Sequence, residues 1–346
     1  MILAFLYSLQ HIVFLLIHDK RYKHFFIFFS LIVFILIYIL KPDTYDIPAY
    51  VASVDYPYFE PLFSLLIIIL RPFLSNRNVI LVIQFLIGVL TFFVINIYTK
   101  DYKNRVDKKV SYILAFFSVA FTLGVNNGLR QYMASLIVFI SIWFFLNNKI
   151  ILSLLVFCFA PMIHLSSSMF YFLVITIIYV SKKRFFSKIR RTLSILSFNL
   201  HINLLKTLIF ISSIILIILL PVIVSYTPYA SYLNRNIVEG RVDFTIKYFP
   251  ILLSFVISEY FFGKIKKEDY IFSQLRIIRT FFIVFMFFFI FFNSLNELAS
   301  RVLSFYFSLE MIVLSLSYVK GYKTGAIVIN LSYAFAINAI NVIGRI

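Results

Sequence analysis

The sequence predicts an all-α polytopic integral membrane protein that forms a single transmembrane domain over residues 1–346. Hydrophobic residues make up 62% of the chain and charged residues only 13%, whereas an ordinary soluble domain carries roughly a quarter charged residues. The apolar runs are continuous and lack the period-two alternation of a transmembrane β-barrel. Because no soluble core could bury this apolar content, which includes 44 phenylalanines, lipid is the expected solvent for most of the chain.

The apolar runs, each of about 14 to 20 residues, predict how many helices cross the bilayer. They lie near 2–17, 25–40, 61–74, 79–98, 110–124, 132–147, 150–163, 165–181, 207–224, 248–263, 280–295, 302–319 and 324–342. Of the three runs between the basic stretches at residues 18–24 and 99–109, run 61–74 is the shortest, contains Arg71 and is bounded by prolines. We expect this run to form a re-entrant or interfacial helix, because counting it as a span would place neighbouring basic loops on opposite faces. About twelve spans remain.

The net charge of +18 is concentrated in short loops between the apolar runs, and this excludes nucleic acid as the expected partner. The most basic loops are His18–His24, Thr99–Lys109, Ser181–Arg191 and Gly263–Arg279. The positive-inside rule predicts that all of them are cytoplasmic. Counting spans from these loops places Arg130 and His164 on the outer face, together with outer loops 41–78 and 225–247.

Arg130 lies between two apolar runs in the stretch NNGLRQYMASL, Asn126–Leu136. A guanidinium group grips phosphate oxygens with a planar fork and keeps its charge. On the outer face it would stabilise a diphosphate leaving group, and Gln131 beside it adds a hydrogen-bonding amide. The alternative is an arginine that extends to the lipid headgroups without a catalytic role.

His164 follows Arg130 by one predicted helical hairpin, in the stretch APMIHLSSSMFY. The hairpin returns the chain to the same face, so both side chains could share one pocket. His164 would then donate to a phosphate or shuttle a proton. The alternative is a core histidine that a backbone carbonyl satisfies.

The two outer loops combine charged and aromatic residues. Carboxylates such as Asp46 and Glu60 accept hydrogen bonds from sugar hydroxyls or act as a general base, and rings such as Tyr50 stack on sugars. Arg235 and Arg241 in the second loop suit the same ligands. The alternative is a pair of solvated loops whose tyrosines mark the membrane interface.

Three further charged residues lie in or beside predicted spans. Arg301 at an outward span end is another diphosphate candidate, although a helical pair with Glu297 is the alternative. Glu259 and Glu310 lie within spans, where a carboxylate is a functional candidate by default.

The chain has no motif for a nucleotide phosphate loop, a dinucleotide or a metal ion, and its one cysteine, Cys158, excludes a disulfide within the chain. A lipid-borne sugar donor therefore fits better than a cytosolic nucleotide sugar.

Several blocks of this sequence together resemble the EpsG-type branch of bacterial polysaccharide polymerases, relatives of the Wzy-type O-antigen polymerases. These blocks are DTYDIPAY and FEPLF in the first outer loop, GLRQYMASLIVFIS, FAPMIHLSSSMF and, near the end, SRVLSFYF. The pairing of the arginine block with the histidine block at this spacing is the most specific part. The sequence departs from the pattern at Lys41-Pro42-Asp43, where a glycine commonly precedes the aspartate.

The resemblance implies a GT-C-like, lipid-dependent glycosyltransferase of the bacterial inner membrane, with its active site facing the periplasm or exterior. Such enzymes join undecaprenyl-diphosphate-linked oligosaccharide repeat units into O-antigen, capsule or exopolysaccharide, and need neither a cofactor nor a metal. Partners would be membrane lipid, a chain-length regulator and a flippase. We expect catalytic roles for Arg130, His164, Asp46 and Glu60, and substrate binding by Gln131, Tyr50, Arg235, Arg241 and Arg301.

The main alternative is a lipid-linked oligosaccharide flippase or another transporter. A transporter would distribute charged residues along a path through the bilayer, often on paired repeats. In this sequence the candidate residues gather at one predicted face and no repeat is visible.

Overall fold

The structure is a computed structural model, and it describes residues 47–181, 241–262, 270–291 and 296–333, apart from residues 117, 127 and 331. The apolar runs 2–17, 25–40 and 207–224 therefore lie outside the described residues.

All regular secondary structure in these described ranges is helical. The helices in chain order are α1 (Ile47–Ala52), α2 (Pro61–Leu70), α3 (Asn76–Thr99), α4 (Arg105–Phe116), α5 (Val119–Asn126), α6 (Leu129–Leu146), α7 (Ile150–Phe157), α8 (Phe159–Ile163), α9 (Ser167–Ser181), α10 (Arg241–Phe262), α11 (Tyr270–Phe291), α12 (Asn296–Val319) and α13 (residues 323–330 and 332–333).

Within the described residues, three helical stretches are long and apolar enough to cross a membrane. They are Asn76–Thr99, Leu129–Leu146 and Arg301–Val319, which correspond to α3, α6 and most of α12. The protein is therefore a helical membrane protein, as the composition predicted. The count of about twelve spans and the GT-C-like arrangement stay predictions.

The short helix α2 occupies most of the apolar run 61–74. Pro61 stands at its first position, where the missing N–H is not needed. Ten residues of helix extend about 15 Å, roughly half of a bilayer core. This length agrees with the prediction that the run does not cross the membrane by itself.

The helix breaks after Asn126, Leu146 and Ile163 fall between the predicted apolar runs, whereas the break at Cys158 divides the run 150–163 and was not predicted. Helix α6 ends at Leu146, and Asn148 turns the chain with a φ of 60°. The next two helices, α7 and α8, are short and carry large apolar side chains that the protein does not cover. Those side chains include Ile150, Ile151, Leu155, Phe159 and Met162.

Helix α12 lies at the centre of the described bundle. It packs against α11 on one side and against α3, α4, α5 and α6 on others. Nearly all of its side chains from Val302 to Tyr318 are buried. The position of this helix therefore determines where its polar side chains lie.

Two loops are shorter than the sequence predicted. Helix α11 begins at Tyr270, so Arg276 and Arg279 belong to a helix and not to the basic loop Gly263–Arg279. Helix α10 begins at Arg241, which removes residues 241–247 from the second predicted loop. Charged residues were taken as loop markers, but in α11 they are paired with carboxylates of neighbouring helices.

Candidate functional site

One carboxylate joins three helices at one end of the described bundle. Glu60 immediately precedes α2, and its Oε2 accepts a hydrogen bond from Arg130 Nη1 at 2.5 Å. Its Oε1 lies 2.9 Å from His164 Nδ1 and also accepts from the Leu165 N–H at 3.3 Å. The first outer loop, the arginine block and the histidine block therefore meet at this carboxylate.

His164 connects Glu60 to a second guanidinium. Its Nε2 lies 2.5 Å from Arg301 Nη1. An arginine only donates hydrogen bonds, so Nε2 accepts and the ring proton resides on Nδ1, which donates to Glu60. His164 is thus a neutral imidazole whose two nitrogens are both engaged. We call Glu60, Arg130, His164 and Arg301 the Glu60 cluster.

Burial and neighbouring charges set the protonation states within the Glu60 cluster. Burial lowers the pKa of His164 below its ordinary value, and the hydrogen bond to Glu60 opposes this only in part. Burial raises the pKa of Glu60, but the hydrogen bond from His164 and the charge of Arg130 outweigh it and lower that pKa to about 2. At neutral pH the pair is therefore an ionised carboxylate beside a neutral histidine.

Two predicted substrate-binding residues join the cluster. The Tyr50 hydroxyl interacts with the guanidinium of Arg130, which also lies 4.5 Å from the ring centroid of Phe59. Gln131 Nε2 donates to the backbone carbonyl of Arg301 at 2.9 Å. The amide therefore holds α6 against α12 beside the cluster instead of pointing freely at a ligand.

The loop before α2 is braced, and this fixes Glu60. The Ser64 hydroxyl accepts from the Phe59 N–H at 3.2 Å and lies 3.0 Å from the Phe59 carbonyl. Arg71 binds Asp55 through its carboxylate at 3.1 Å and its carbonyl at 3.1 Å. The sequence did not predict the contacts of Ser64 with Phe59 or of Arg71 with Asp55. No local sequence pattern indicates that these residues hold the loop in place.

Three buried polar atoms beside the cluster have no hydrogen-bond partner among the described residues. They are Arg130 Nε, Ser166 Oγ and Ser167 Oγ. All three are hydrogen-bond donors, and buried donors normally have a partner. The arrangement leaves donors available to an anionic ligand.

The structure thus brings together six of the nine predicted site residues: Tyr50, Glu60, Arg130, Gln131, His164 and Arg301. Asp46 and Arg235 lie outside the described residues. Arg241 is described only as the first residue of α10. The roles of all nine residues stay predictions.

The fold and the site define a helical membrane protein with an arginine, carboxylate and histidine centre at one end of its bundle. The chain belongs to the EpsG family, whose sequence model matches residues 24–344. This membership indicates a polymerase-type role in polysaccharide biosynthesis. Comparison with curated proteins and with solved structures gave no match.

Proposed function

We propose that the protein is a lipid-dependent polysaccharide polymerase at the outer face of the bacterial plasma membrane. It transfers a growing glycan from undecaprenyl diphosphate to a sugar hydroxyl of a second lipid-linked repeat unit. The product is O-antigen, capsule or exopolysaccharide. Membership of the EpsG family supports the reaction class, and the Glu60 cluster supports the choice of a diphosphate leaving group.

The observation that carries this proposal is the placement of two arginines on either side of the Glu60–His164 pair. Arg130 and Arg301 come from α6 and α12 and lie within one chain of contacts. A diphosphate that leaves a sugar carries developing negative charge, and two guanidinium groups stabilise that charge in the transition state. The partnerless donor Arg130 Nε adds a further contact for phosphate oxygens.

The transfer step forms one bond and breaks one bond. The acceptor hydroxyl oxygen attacks the anomeric carbon of the donor sugar while the bond from that carbon to the diphosphate oxygen breaks. The hydroxyl proton passes to a base, and undecaprenyl diphosphate departs with the electron pair of the broken bond.

His164 Nε2 is the base in this proposal. Arg301 Nη1 donates to that nitrogen, so in this proposal the diphosphate must draw the guanidinium away before the proton transfer. The freed lone pair then accepts the hydroxyl proton. Glu60 keeps the ring proton on Nδ1 and stabilises the imidazolium that forms, as a buried carboxylate does in a Ser-His-Asp triad. With its pKa near 2, Glu60 orients the base instead of acting as the base.

The test is deletion of the gene in the source bacterium, complementation with the wild-type gene, and a gel of the surface polysaccharide. The proposal expects a ladder that collapses to a single-repeat band in the deletion strain and returns on complementation. Complete loss of the glycan would favour the flippase alternative. A ladder that is unchanged by deletion would overturn both functions.

A further inference from the structure

A second group of charged side chains lies deep in the bundle, apart from the Glu60 cluster. Arg279 of α11 is fully buried and contacts Glu310 of α12 and Glu259 of α10. Glu259 also accepts a hydrogen bond from Arg276 at 2.9 Å. We call these four residues the Arg279 network. It joins three consecutive long helices at one level.

Aromatic side chains enclose the centre of the network. The Arg279 guanidinium lies 4.6 Å from the ring centroid of Phe255 and 4.9 Å from that of Phe262. It also donates to the Tyr333 hydroxyl at 3.4 Å. Burying charges in such surroundings costs desolvation free energy unless the charges are paired. Apolar side chains would pack there without that cost, so the charged residues are expected to have a specific role.

The composition of the network favours a fixed contact over a ligand site. Two arginines face two carboxylates, which leaves no excess charge for an anion. Nε, Nη1 and Nη2 of Arg279 all donate to Glu259, Glu310 or Tyr333. A proton path would need titratable groups leading away from the network, whereas Phe255 and Phe262 cover the guanidinium.

The network holds the face of α12 opposite to Arg301. At 3.6 residues per turn, Glu310 lies about half a turn around the axis from Arg301 and about 14 Å along it. Ser308 shares the face of Arg301, and its Oγ lies 2.7 Å from Ser135 Oγ of α6. Helix α12 is thus held on one face by the ion pair with α11 and on the opposite face by the hydrogen bond with α6.

We infer that the Arg279–Glu310 ion pair at the centre of the network fixes the rotation and axial register of α12 and thereby positions Arg301 against His164. Apolar faces tolerate rotation and sliding, whereas a buried ion pair specifies one register. A rotation of about 20° would move a side chain at the helix surface by about 2 Å, and a misplacement of about 1 Å at a reacting group costs up to about a hundredfold in rate. Arg279 and Glu310 are accordingly positioning residues; the consequence for polymerisation rests on the proposed function.

The experiment measures the register of α12 directly by disulfide cross-linking. In a Cys158→Ser background, Ser135→Cys is combined with Ser308→Cys as the in-register reporter, or with Ser304→Cys, one turn away, as the off-register reporter. The ratio of the two cross-linking yields reports how firmly α12 keeps its register.

The decisive variant replaces the central pair with apolar side chains, Arg279→Met with Glu310→Leu. It leaves Arg276 paired with Glu259, so no charge becomes isolated. The inference expects the ratio of in-register to off-register cross-linking to fall at least about threefold, with protein level in the membrane maintained. The matched control is Arg276→Met with Glu259→Leu, which keeps the Arg279–Glu310 pair and should keep the ratio. Equal ratios in both variants and the wild type would overturn the inference.

A milder variant covers the case in which the double variant does not reach the membrane. Glu310→Asp keeps the charge but shortens the side chain by one methylene. It is expected to lower the cross-linking ratio by a smaller factor, and an unchanged ratio would again overturn the inference.

The polysaccharide ladder separates this inference from the proposed function. A ladder that shortens together with the fall in the cross-linking ratio supports both parts of the inference. A reduced cross-linking ratio with a normal polysaccharide ladder would confirm that the ion pair fixes the register of α12. It would overturn the claim that this register positions Arg301 for polymerisation.

Discussion

The Glu60 carboxylate links residues that lie far apart in the chain. It binds Arg130 on α6 and His164 at the end of α8 with separate oxygens. Each contact constrains the other, because a carboxylate that moves toward the arginine leaves the imidazole. Substituting any one of these side chains should therefore disturb the others.

Arg130→Lys tests whether the planar guanidinium fork is required. Lysine keeps the charge but cannot bind Glu60 and a phosphate with separate nitrogens. We expect polymerisation to fall by about a hundredfold, the effect of removing one donor from a charge-stabilising site, with normal protein level. The measurement is the polysaccharide ladder together with an immunoblot of the membrane fraction.

The matched control is Arg77→Lys, since Arg77 is an exposed arginine on α3. This control should leave the ladder close to that of the wild type. A normal ladder with Arg130→Lys would remove Arg130 from the mechanism.

The pH dependence of kcat/KM tests His164 as the base. This parameter reports the ionisation of groups on the free enzyme, and protonated His164 has no lone pair for the acceptor hydroxyl. Activity should fall as the pH drops through the pKa of His164, which burial holds below 6.5. The charge and hydrogen bond of Glu60 raise the pKa of His164. Glu60→Gln removes that charge, so the acidic limb of the pH profile of kcat/KM should move to lower pH.

The assay uses purified protein with lipid-linked repeat units in detergent. An acidic limb that moves to higher pH in Glu60→Gln, or that stays in place, would contradict the proposed dyad of Glu60 and His164.

The sequence identified the residue types of the site but not their contacts. Arg130, His164 and Glu60 stood out because charged or titratable groups near span ends are rare. The separations of 70 residues from Glu60 to Arg130 and 104 to His164 carry no local periodicity that would predict a contact. Nor does any local pattern show that Gln131 turns to a backbone carbonyl instead of a ligand.

At the scale of elements, the close crossing of α5 and α6 depends on a glycine. A Cβ added to Gly124 would overlap the ring of Tyr132, whose hydroxyl lies 3.3 Å from Met311 Sδ of α12. Gly124→Ala should therefore displace Tyr132 and destabilise the protein by about 1 to 3 kcal/mol, as overpacking does. Thermal unfolding in detergent, followed by size-exclusion chromatography, measures the change.

Gly88→Ala is the matched control on α3. Its added Cβ would meet Phe116 at 3.8 Å, an ordinary contact distance, and the helical position favours alanine. Equal unfolding temperatures for the two variants would show that the Gly124 contact does not limit packing.

The helix α11 shows why the sequence placed one boundary wrongly. Arg276 and Arg279 were assigned to a loop because clustered basic residues between apolar runs usually mark cytoplasmic loops. Helical structure continues through them because Glu259 and Glu310 supply opposite charges. A signal for this was present, since two carboxylates within predicted spans require cationic partners.

At the scale of the whole molecule, the proposed function requires one orientation in the membrane. Tyr58, near the Glu60 cluster, and Lys103, beyond the other end of α3, are both exposed. In a Cys158→Ser background, a membrane-impermeant maleimide added to intact spheroplasts should label Tyr58→Cys and spare Lys103→Cys. Permeabilised cells should give labelling at both positions.

The reverse pattern of labelling would place the Glu60 cluster in the cytoplasm. It would contradict a reaction at the outer face, whatever the effect of the arginine variants.

The overall fold class followed from composition, and its details did not. An apolar content of 62% requires lipid as solvent, and the gaps between the runs 110–124, 132–147, 150–163 and 165–181 marked helix ends. An apolar run cannot reveal by itself whether it crosses the bilayer, because α2 and α7 are as hydrophobic as full spans. Tertiary packing decides that question.

The shortness of α7 and α8 has a consequence for the surrounding lipid. Together they form an apolar stretch from Ile150 to Ile163, about 21 Å of helix against a hydrocarbon core of about 30 Å. On the prediction that the run 150–163 spans the bilayer, exposed side chains such as Ile151 and Phe159 would require both leaflets to become thinner at this flank. Such hydrophobic mismatch costs fractions of a kcal/mol per ångström, and thinner bilayers reduce it. The protein should therefore partition into the thinner regions of its membrane.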